Sequence, residues 1–474
     1  MTSPFDSLRL TELPRFLAKG FAAYLKRLSK LKVGPDPVVN IPAQLMATLL
    51  PFQLEGVKFI IRRGGRGMLG DEMGCGKTIQ AIALLLHYRT HWPALIVVPS
   101  SLLKQWPEEV LKFSAGLVKP EDVYVISKSS DTVRGNITIV TYTIMDILVT
   151  KNMIDPDQFG IVFADESHNL KNKDASRSLA VIPFLKKATV AVCMTGTPSV
   201  NRPVELFSQL NGLLPDVFSD YNAFGTRYCD AKPSRFTAAL DMSGHSNEAE
   251  LNKLLNGLAM IRRTKESVLS DLPQKKREVR RVEPDPECAG ELRRIRARSD
   301  YVSKEMNDAG MLVNELYRLT GVAKIKSINA ELLKLVGPPA DYTAQKIIVF
   351  LHHHVVMNGI EKGLQEMRIS YVRIDGTTPQ KQRQTRLASF QNDNVTEVAL
   401  LSISACGAGL NLTRAKVALF GELSWSLGQI LQAEARIHRL GQIAKEVRII
   451  YITAIGTADD NVWNQLQSKH QVVG

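Results

Sequence analysis

The chain is poor in the features that mark several protein classes. Its five cysteines (Cys75, Cys193, Cys229, Cys288, Cys406) are scattered, and none forms a C-x-x-C pair. That argues against a disulfide framework or a structural zinc site and fits a reducing compartment. No apolar run approaches the roughly 18 residues of a membrane-spanning helix. No secretory signal is visible, and Asp6 and Glu12 argue against a transit peptide. There is no internal repeat and no low-complexity tract. What remains is an ordinary globular composition: 474 residues, 45% hydrophobic and 23% charged. That length suits two or three domains of about 150 residues each. Charge is the one bias. Sixty Lys and Arg against 47 Asp and Glu give a formal net charge of +13, which favours a polyanionic partner, nucleic acid ahead of membrane.

Residues 1–40 read as a helical N-terminal extension. Leu17, Phe21, Tyr24, Leu28 and Leu31 recur at helical spacing among lysines and arginines, and Gly34-Pro35-Asp36-Pro37 ends the pattern. A helix docked on the main body is favoured over a membrane or partner helix. Two α/β series follow. The first, over 41–270, has buried strands at Leu95–Pro99, Ile137–Val140, Ile161–Ala164 and Val190–Met194. The second, over 341–474, has them at Ile347–Phe350, Tyr371–Ile374, Val398–Leu401, Val417–Phe420 and Val447–Tyr451. Residues 271–340, with basic Lys275-Lys276-Arg277, read as a basic crossing and a helical insertion. The expected fold is α/β, with two doubly wound parallel-sheet lobes.

Chemistry concentrates in three places. Asp71-Glu72-Met73-Gly74-Cys75-Gly76-Lys77-Thr78 joins apolar Met68-Leu69 to a helical pattern. Glycines there let backbone N–H groups approach phosphate oxygens. Lys77 supplies charge at the β- and γ-phosphates, the Thr78 hydroxyl suits Mg²⁺, and the helix N-terminus adds partial positive charge. The strict P-loop pattern asks for glycine five residues before Gly76, where Asp71 stands. Secondly, the strand Ile161–Ala164 delivers Asp165 and Glu166 at its C-terminal end. In P-loop enzymes the first such carboxylate orders Mg²⁺ and the second activates the attacking water. Thirdly, Arg436 and Arg439 are three apart, hence on one face of a helix, and planar guanidinium groups suit a γ-phosphate.

Asp165-Glu166-Ser167-His168 resembles the Walker B box of SWI/SNF-type DNA-dependent ATPases in helicase superfamily two, and other motifs agree in order. Pro51-Phe52-Gln53 resembles a glutamine motif that reads adenine. Leu102-Leu103-Lys104-Gln105-Trp106 resembles the segment after motif Ia. Met194-Thr195-Gly196-Thr197-Pro198 resembles motif III, with Asn201 and Glu205-Leu206-Phe207 as its sequel. Arg262-Arg263-Thr264-Lys265 with Leu272-Pro273 resembles the end of the first lobe. Ser402–Leu412 resembles motif V, and Gln432–Gln442 motif VI. The resemblance covers residues 45–470. Phe350-Leu351-His352-His353 and Glu422-Leu423-Ser424-Trp425 are similar to the annealing-helicase (fork-remodelling) branch. Three consecutive histidines (His352, His353, His354) after a strand cannot all point one way, which argues against metal.

The resemblance implies two RecA-like lobes with an ATP cleft between them, and ATP and Mg²⁺ as cofactors. Lys77, Asp165, Glu166, Arg436 and Arg439 would be catalytic. Gln53, residues 71–78 (Asp71, Glu72, Met73, Gly74, Cys75, Gly76, Lys77, Thr78) and Gly409 would meet nucleotide, and Thr78 and Asp165 would hold the metal. It also implies DNA contacts at Lys104, Trp106, Thr141, Lys171 and Trp425; for Trp425 the plain alternative is packing. The implied partners are double-stranded or forked DNA, with nucleosomes or single-strand-binding proteins as further candidates. The chain would work as a monomer on DNA, in the nucleus of a eukaryote and otherwise in the cytoplasm or nucleoid. Departures are Cys75 for the usual leucine, Ala435 where an aspartate usually precedes the first finger arginine, and Ser426-Leu427 for asparagine-proline. Ala435 leaves open a weakened, DNA-binding scaffold. An RNA helicase is disfavoured, because its box ends alanine-aspartate and its motif III reads serine-alanine-threonine.

Overall fold

A computed structural model describes residues 13–31, 33–198, 202–233, 240–269, 272–302, 309–336, 345–403, 412–439 and 441–473. The chain divides into two compact units, residues 1–270 and 271–474. Each is an α/β lobe built on a parallel sheet.

In the first lobe the strands are β1 (Arg66–Leu69), β2 (Ala94–Val98), β3 (Val123–Ile126), β4 (Ile137–Thr141), β5 (Ile161–Asp165), β6 (Val190–Met194) and β9 (Met260–Ile261). A short antiparallel ribbon, β7 (Lys232–Pro233) with β8 (Leu240–Asp241), stands apart. Among the described residues the sheet order is β3-β4-β2-β5-β6-β1-β9, with each neighbouring pair parallel. Strands β1, β2, β4, β5 and β6 are buried at every position. Helices cover both faces of such a sheet, so its strands read as continuous apolar runs rather than alternating ones. The register puts Leu69 and Asp165 level with Met194, so β1, β6 and β5 end together at one edge.

The helix Arg15–Lys30 docks on this lobe, and Leu17, Phe21 and Tyr24 enter its core. Gly20 is required there: a Cβ at Gly20 would lie 1.8 Å from the Asp216 carbonyl oxygen. The sequence reading missed Arg66. It sits inside β1, 2% exposed, and its guanidinium donates to the carbonyls of Leu185, Ala188, Gly212 and Leu213. These close the helices Ser176–Lys187 and Val204–Leu213, whose last carbonyls have no partner within the helix.

The second lobe's strands are β10 (Gln274–Val282), β11 (Ile347–Leu351), β12 (Tyr371–Ile374), β13 (Val398–Ser402), β14 (Val417–Phe420) and β15 (Glu446–Ala454). Their order is β10-β15-β14-β11-β13-β12, again all parallel. From the sequence, 271–340 reads as a crossing and an insertion; in the structure its first part is an edge strand, nine residues paired with β15. Charge hid the strand, since alternation in β10 is of charges rather than of apolar residues. Lys275 and Arg277, two apart and so on one face, meet Glu434, whereas Glu278 pairs with Arg448 at 2.9 Å. The helices Pro286–Val302 and Ala309–Val322 pack through Leu292, Ile295, Leu312 and Leu316. Lys324, fully buried, anchors them to the lobe through Asp459 (2.7 Å) and the Ile452 carbonyl (3.0 Å). Among the described residues, no helix is long and apolar enough to cross a membrane.

Candidate nucleotide-binding site

The P-loop leaves the C-terminal end of β1 and turns into the helix Lys77–His87. Gly74 (φ 91°) and Gly76 (φ 76°) take the left-handed backbone that glycine adopts without a Cβ clash. Ile79 to Leu86 are all buried, so the helix is fixed and its N-terminus stays aimed at the loop. Lys77 Nζ donates to the Asp71 carbonyl at 2.9 Å, which holds the ammonium inside the loop's curve. Thr78 follows, half-buried, on the first turn. Cys75 is fully buried, and burial pushes its thiol up to about 11, so it serves as an inert packing group. Gln53 Nε2 donates to the Cys75 carbonyl at 3.0 Å, and its Oε1 accepts from Leu50 N at 3.0 Å. The glutamine thus ties the helix Pro51–Arg62 to the loop.

The side chains of Asp71 and Glu72 are engaged within the lobe. The Asp71 carboxylate is fully buried and takes Arg263 Nε (2.9 Å) and Nη2 (2.6 Å), with Gln80 Nε2 at 3.0 Å. Glu72 accepts from Lys265 N at 2.8 Å. Both side chains bind the Arg262–Lys265 segment. The physical reason is pairing: a buried carboxylate is stable beside a bidentate guanidinium, and phosphate would repel it. The substitution of Asp71 for glycine therefore couples the P-loop to the lobe's final strand. Met73 packs against motif III, where a Cβ on Gly196 would come within 2.3 Å of Met73 Cγ.

Asp165 ends β5, level with the end of β6 and beside the P-loop strand's neighbour. Its Oδ2 accepts from Trp106 Nε1 at 2.8 Å, its Oδ1 from Glu166 N at 2.9 Å, and its carbonyl from the Tyr142 hydroxyl at 2.7 Å. Burial raises the Asp165 carboxyl to about 6, and the charge of Glu166 adds to the shift. The Trp106 hydrogen bond and the charge of Lys77 pull the other way. A buried carboxylate beside a half-buried one suits a hard cation with oxygen ligands, and the Asp165 and Thr78 oxygens fit Mg²⁺ in type. Glu166 takes a left-handed backbone (φ 49°), a strained conformation for a residue with a Cβ. Its Oε2 lies 3.3 Å from His168 Nδ1, which in turn lies 3.1 Å from Thr195 Oγ1 of motif III. A second link runs beside it. The Ser167 hydroxyl donates to Gln209 Oε1 at 2.7 Å, and Gln209 Nε2 donates to the Pro198 carbonyl at 3.1 Å. Gln209 was not singled out from the sequence; a polar residue on an otherwise buried helical stretch was its only signal.

Of the residues expected at DNA, two are buried in the first lobe. Trp106 is 1% exposed, and its indole N–H donates to Asp165 Oδ2 at 2.8 Å. Thr141 is 4% exposed and caps the helix Tyr142–Thr150 by accepting from Ile144 N at 3.2 Å. Trp425 is half-buried and packs edge-on against Tyr317 at 5.9 Å. Lys104 and Lys171 are exposed, with Lys171 Nζ 3.9 Å from Glu205. Gly409 and Asn201 lie outside the described residues, as does most of motif V.

Motif VI is also corrected. The helix Leu427–Glu434 stops before the arginines, so Arg436 and Arg439 lie on the turns that follow rather than on a helix face. Two side-chain bonds hold the turns that follow. Gln442 Nε2 donates to the Ile437 carbonyl at 2.8 Å, and His438 Nε2 donates to the Pro273 carbonyl at 3.0 Å. Arg436 is 8% exposed and Arg439 is half-buried. Glu434, 1% exposed, accepts from Arg277 Nε and Nη2 (both 2.7 Å), Lys275 Nζ (3.2 Å) and the Tyr451 hydroxyl. Burial opposes its charge, but the Arg277 hydrogen bond and the Lys275 and Arg277 charges outweigh burial and hold the carboxyl down at about 2. An unfolded glutamate titrates near 4.5. The group is thus depressed on folding, and its stabilisation is present above pH ~4.5 and lost as pH falls from there toward ~2. Glu434→Gln should lower the thermal midpoint most near neutrality, with the gap to wild type closing as pH drops from about 4.5 toward about 2. A gap independent of pH would contradict the assignment.

At the C-terminal end of β11, the buried Glu422 accepts from His352 N (2.8 Å), His353 N (2.9 Å) and His353 Nδ1 (2.6 Å). The histidine run therefore braces β11 against the segment that follows β14.

Comparison with known proteins places these motifs. The SNF2-related domain matches residues 52–302, and the helicase conserved C-terminal domain matches residues 325–441. The chain is 37% identical, over 99% of its length, to a SWI/SNF-related matrix-associated actin-dependent regulator of chromatin subfamily A-like protein 1 from Xenopus laevis, of which it covers 48%. It is 38% identical over 92% of its length to the DNA annealing helicase and endonuclease ZRANB3 from Mus musculus, of which it covers 41%. The chain thus spans about half the length of the relatives it matches. A Sulfolobus solfataricus SWI2/SNF2 ATPase core in complex with dsDNA aligns with a TM-score of 0.44 at 22% identity, over 92% of this chain and 94% of that one. With the SNF2-related domain spanning more than half of it and the helicase C-terminal domain following, the chain belongs to the SNF2-related family of helicase superfamily two, among relatives of the annealing-helicase branch.

Proposed function

We propose that this chain is an ATP-driven translocase on double-stranded DNA that remodels or anneals DNA at forks or repair intermediates. The observation that carries the reading is the meeting of Lys77, Asp165-Glu166 and Thr195 at one edge of the first lobe, with Glu166 reaching motif III through His168. Lys77 binds the β- and γ-phosphates, and Glu166 orients and deprotonates the attacking water. Thr78 and Asp165 hold Mg²⁺, which supplies charge neutralisation at the phosphates. Trp106 and Tyr142 keep Asp165 in place. Arg436 and Arg439 are the finger arginines for the γ-phosphate. The His168–Thr195 and Ser167–Gln209–Pro198 links carry the state of the site into motif III. A net charge of +13 supports DNA held through its phosphates, so binding is salt-sensitive and largely sequence-independent. Eukaryotic relatives support a nuclear location, with the lobes bounded near residue 270. The test is ATP hydrolysis measured in parallel with forked, duplex, single-stranded and nucleosomal DNA. Highest turnover on forked or duplex DNA supports the reading. Preference for nucleosomes over free duplex overturns the fork assignment in favour of chromatin remodelling.

A further inference from the structure

Motif VI is tied at two points to the first strand of the second lobe. Glu434 and His438 bracket Arg436 in sequence, and both reach the same short stretch, residues 273–277. Glu434 takes Arg277 (2.7 Å, bidentate) and Lys275 (3.2 Å), and His438 donates to the Pro273 carbonyl at 3.0 Å. Between these ties the backbone is closed by Arg436 N donating to the Ala433 carbonyl (3.1 Å) and His438 N to the Glu434 carbonyl (3.2 Å). Strand β10 is the first element after the division of the chain at 270/271. It is also an edge strand, with β15 as its only sheet neighbour among the described residues. Its described attachments to the lobe are one ladder, the side chains that meet Glu434 and Arg448, the Arg280–Glu331 pair at 3.8 Å and the packing of Val282 on the core.

We propose that Arg277, with Lys275, is a positioning residue for Arg436: through Glu434 it fixes the finger segment to the lobe's first strand, so the two move as one piece. Burial makes the tie stiff. Glu434 is 1% exposed, and its carboxylate accepts from two cations and the Tyr451 hydroxyl, while Arg277 itself keeps 37% of its side chain exposed. The basic run Lys275-Lys276-Arg277 thus has a use inside the protein; two of its three charges face Glu434, and Lys276 faces away. The Ala435 departure fits the same picture. The residues on either side of Arg436, Glu434 and His438, are the ones anchored to residues 273–277, so the anchoring does not use the position of Ala435.

This inference rests on the reading of Arg436 as a finger arginine, and the test separates the two. The experiment is a double-mutant cycle on DNA-stimulated, single-turnover ATP hydrolysis: wild type, Arg277→Met, Arg436→Ala and the double variant, each with its KM for ATP and its melting midpoint. Arg277→Met should lower the hydrolysis rate about tenfold with KM changed less than about twofold, since the nucleotide's grips lie on the first lobe. In the Arg436→Ala background the same change should cost less than about twofold. Arg277→Lys, which keeps the charge, should restore most of the rate. Equal losses in both backgrounds, no loss at all, or a parallel rise in KM would overturn the tie. Arg436→Ala retaining wild-type turnover would instead overturn the finger reading itself. If Arg277→Met does not fold, the cycle is run with Lys275→Met, which removes one of the two cations and is read by the same criteria.

Discussion

Replacing Lys77 with alanine is expected to abolish ATP turnover, with a loss of at least about 10²–10³-fold. The lysine is the first residue of its helix and half-buried, and its ammonium is held by the Asp71 carbonyl at 2.9 Å. It therefore sits inside the loop before any nucleotide arrives, and its charge is delivered without reorganisation. Glu166→Gln should be equally severe in turnover and different in kind. The amide is isosteric and keeps the site's shape, but it cannot take a proton from water. It should leave nucleotide affinity within about threefold, whereas Lys77→Ala should weaken it by tenfold or more, on the order of 1.4 kcal/mol. Direct binding of a fluorescent ATP analogue, beside steady-state hydrolysis, checks both. Glu166→Gln retaining a tenth of wild-type turnover would remove Glu166 from the role of general base.

The second large effect is expected at the other lobe. Arg436→Ala should lower kcat by about 10³-fold, the lower end of what a finger arginine contributes. Because the arginine is assigned to charge that develops in the transition state, kcat should fall while the KM for ATP stays within about threefold. Arg439→Ala should act in the same direction. Arg436→Lys should not restore the rate, since an ammonium lacks the planar fork that meets two phosphate oxygens. Kinetics across a range of ATP concentrations check this. A variant that raises KM with kcat unchanged would make Arg436 a ground-state binding group.

Much of both lobes is legible in the sequence because their central strands are buried on both faces. Runs such as Leu95–Val98 and Ile347–Leu351 have no other reading at that length. The edge strand β10 was missed for the opposite reason: its inward positions are charged, and their partner, Glu434, lies far along the chain. The P-loop and the Asp165-Glu166 pair were legible because glycine spacing and carboxylates at a strand end are local signals. Side-chain direction was not. Trp106 was assigned outward to DNA and instead turns inward to Asp165 across a separation no local pattern encodes. Asp71 was assigned to nucleotide, but Arg263, nearly two hundred residues later, claims its carboxylate. The spacing of Arg436 and Arg439 suggests one helix face, whereas the helix ends at Glu434 and both arginines lie on the turns beyond it. For Trp106 and Asp71 a polar partner far along the chain decides where the side chain turns.

The most direct measurement is ATP hydrolysis by the wild-type chain with and without duplex DNA, repeated as salt is raised from about 50 to about 200 mM. The expected result is turnover that depends on DNA and whose stimulation weakens steeply with salt. Equal turnover in the absence of DNA would contradict a DNA-driven motor.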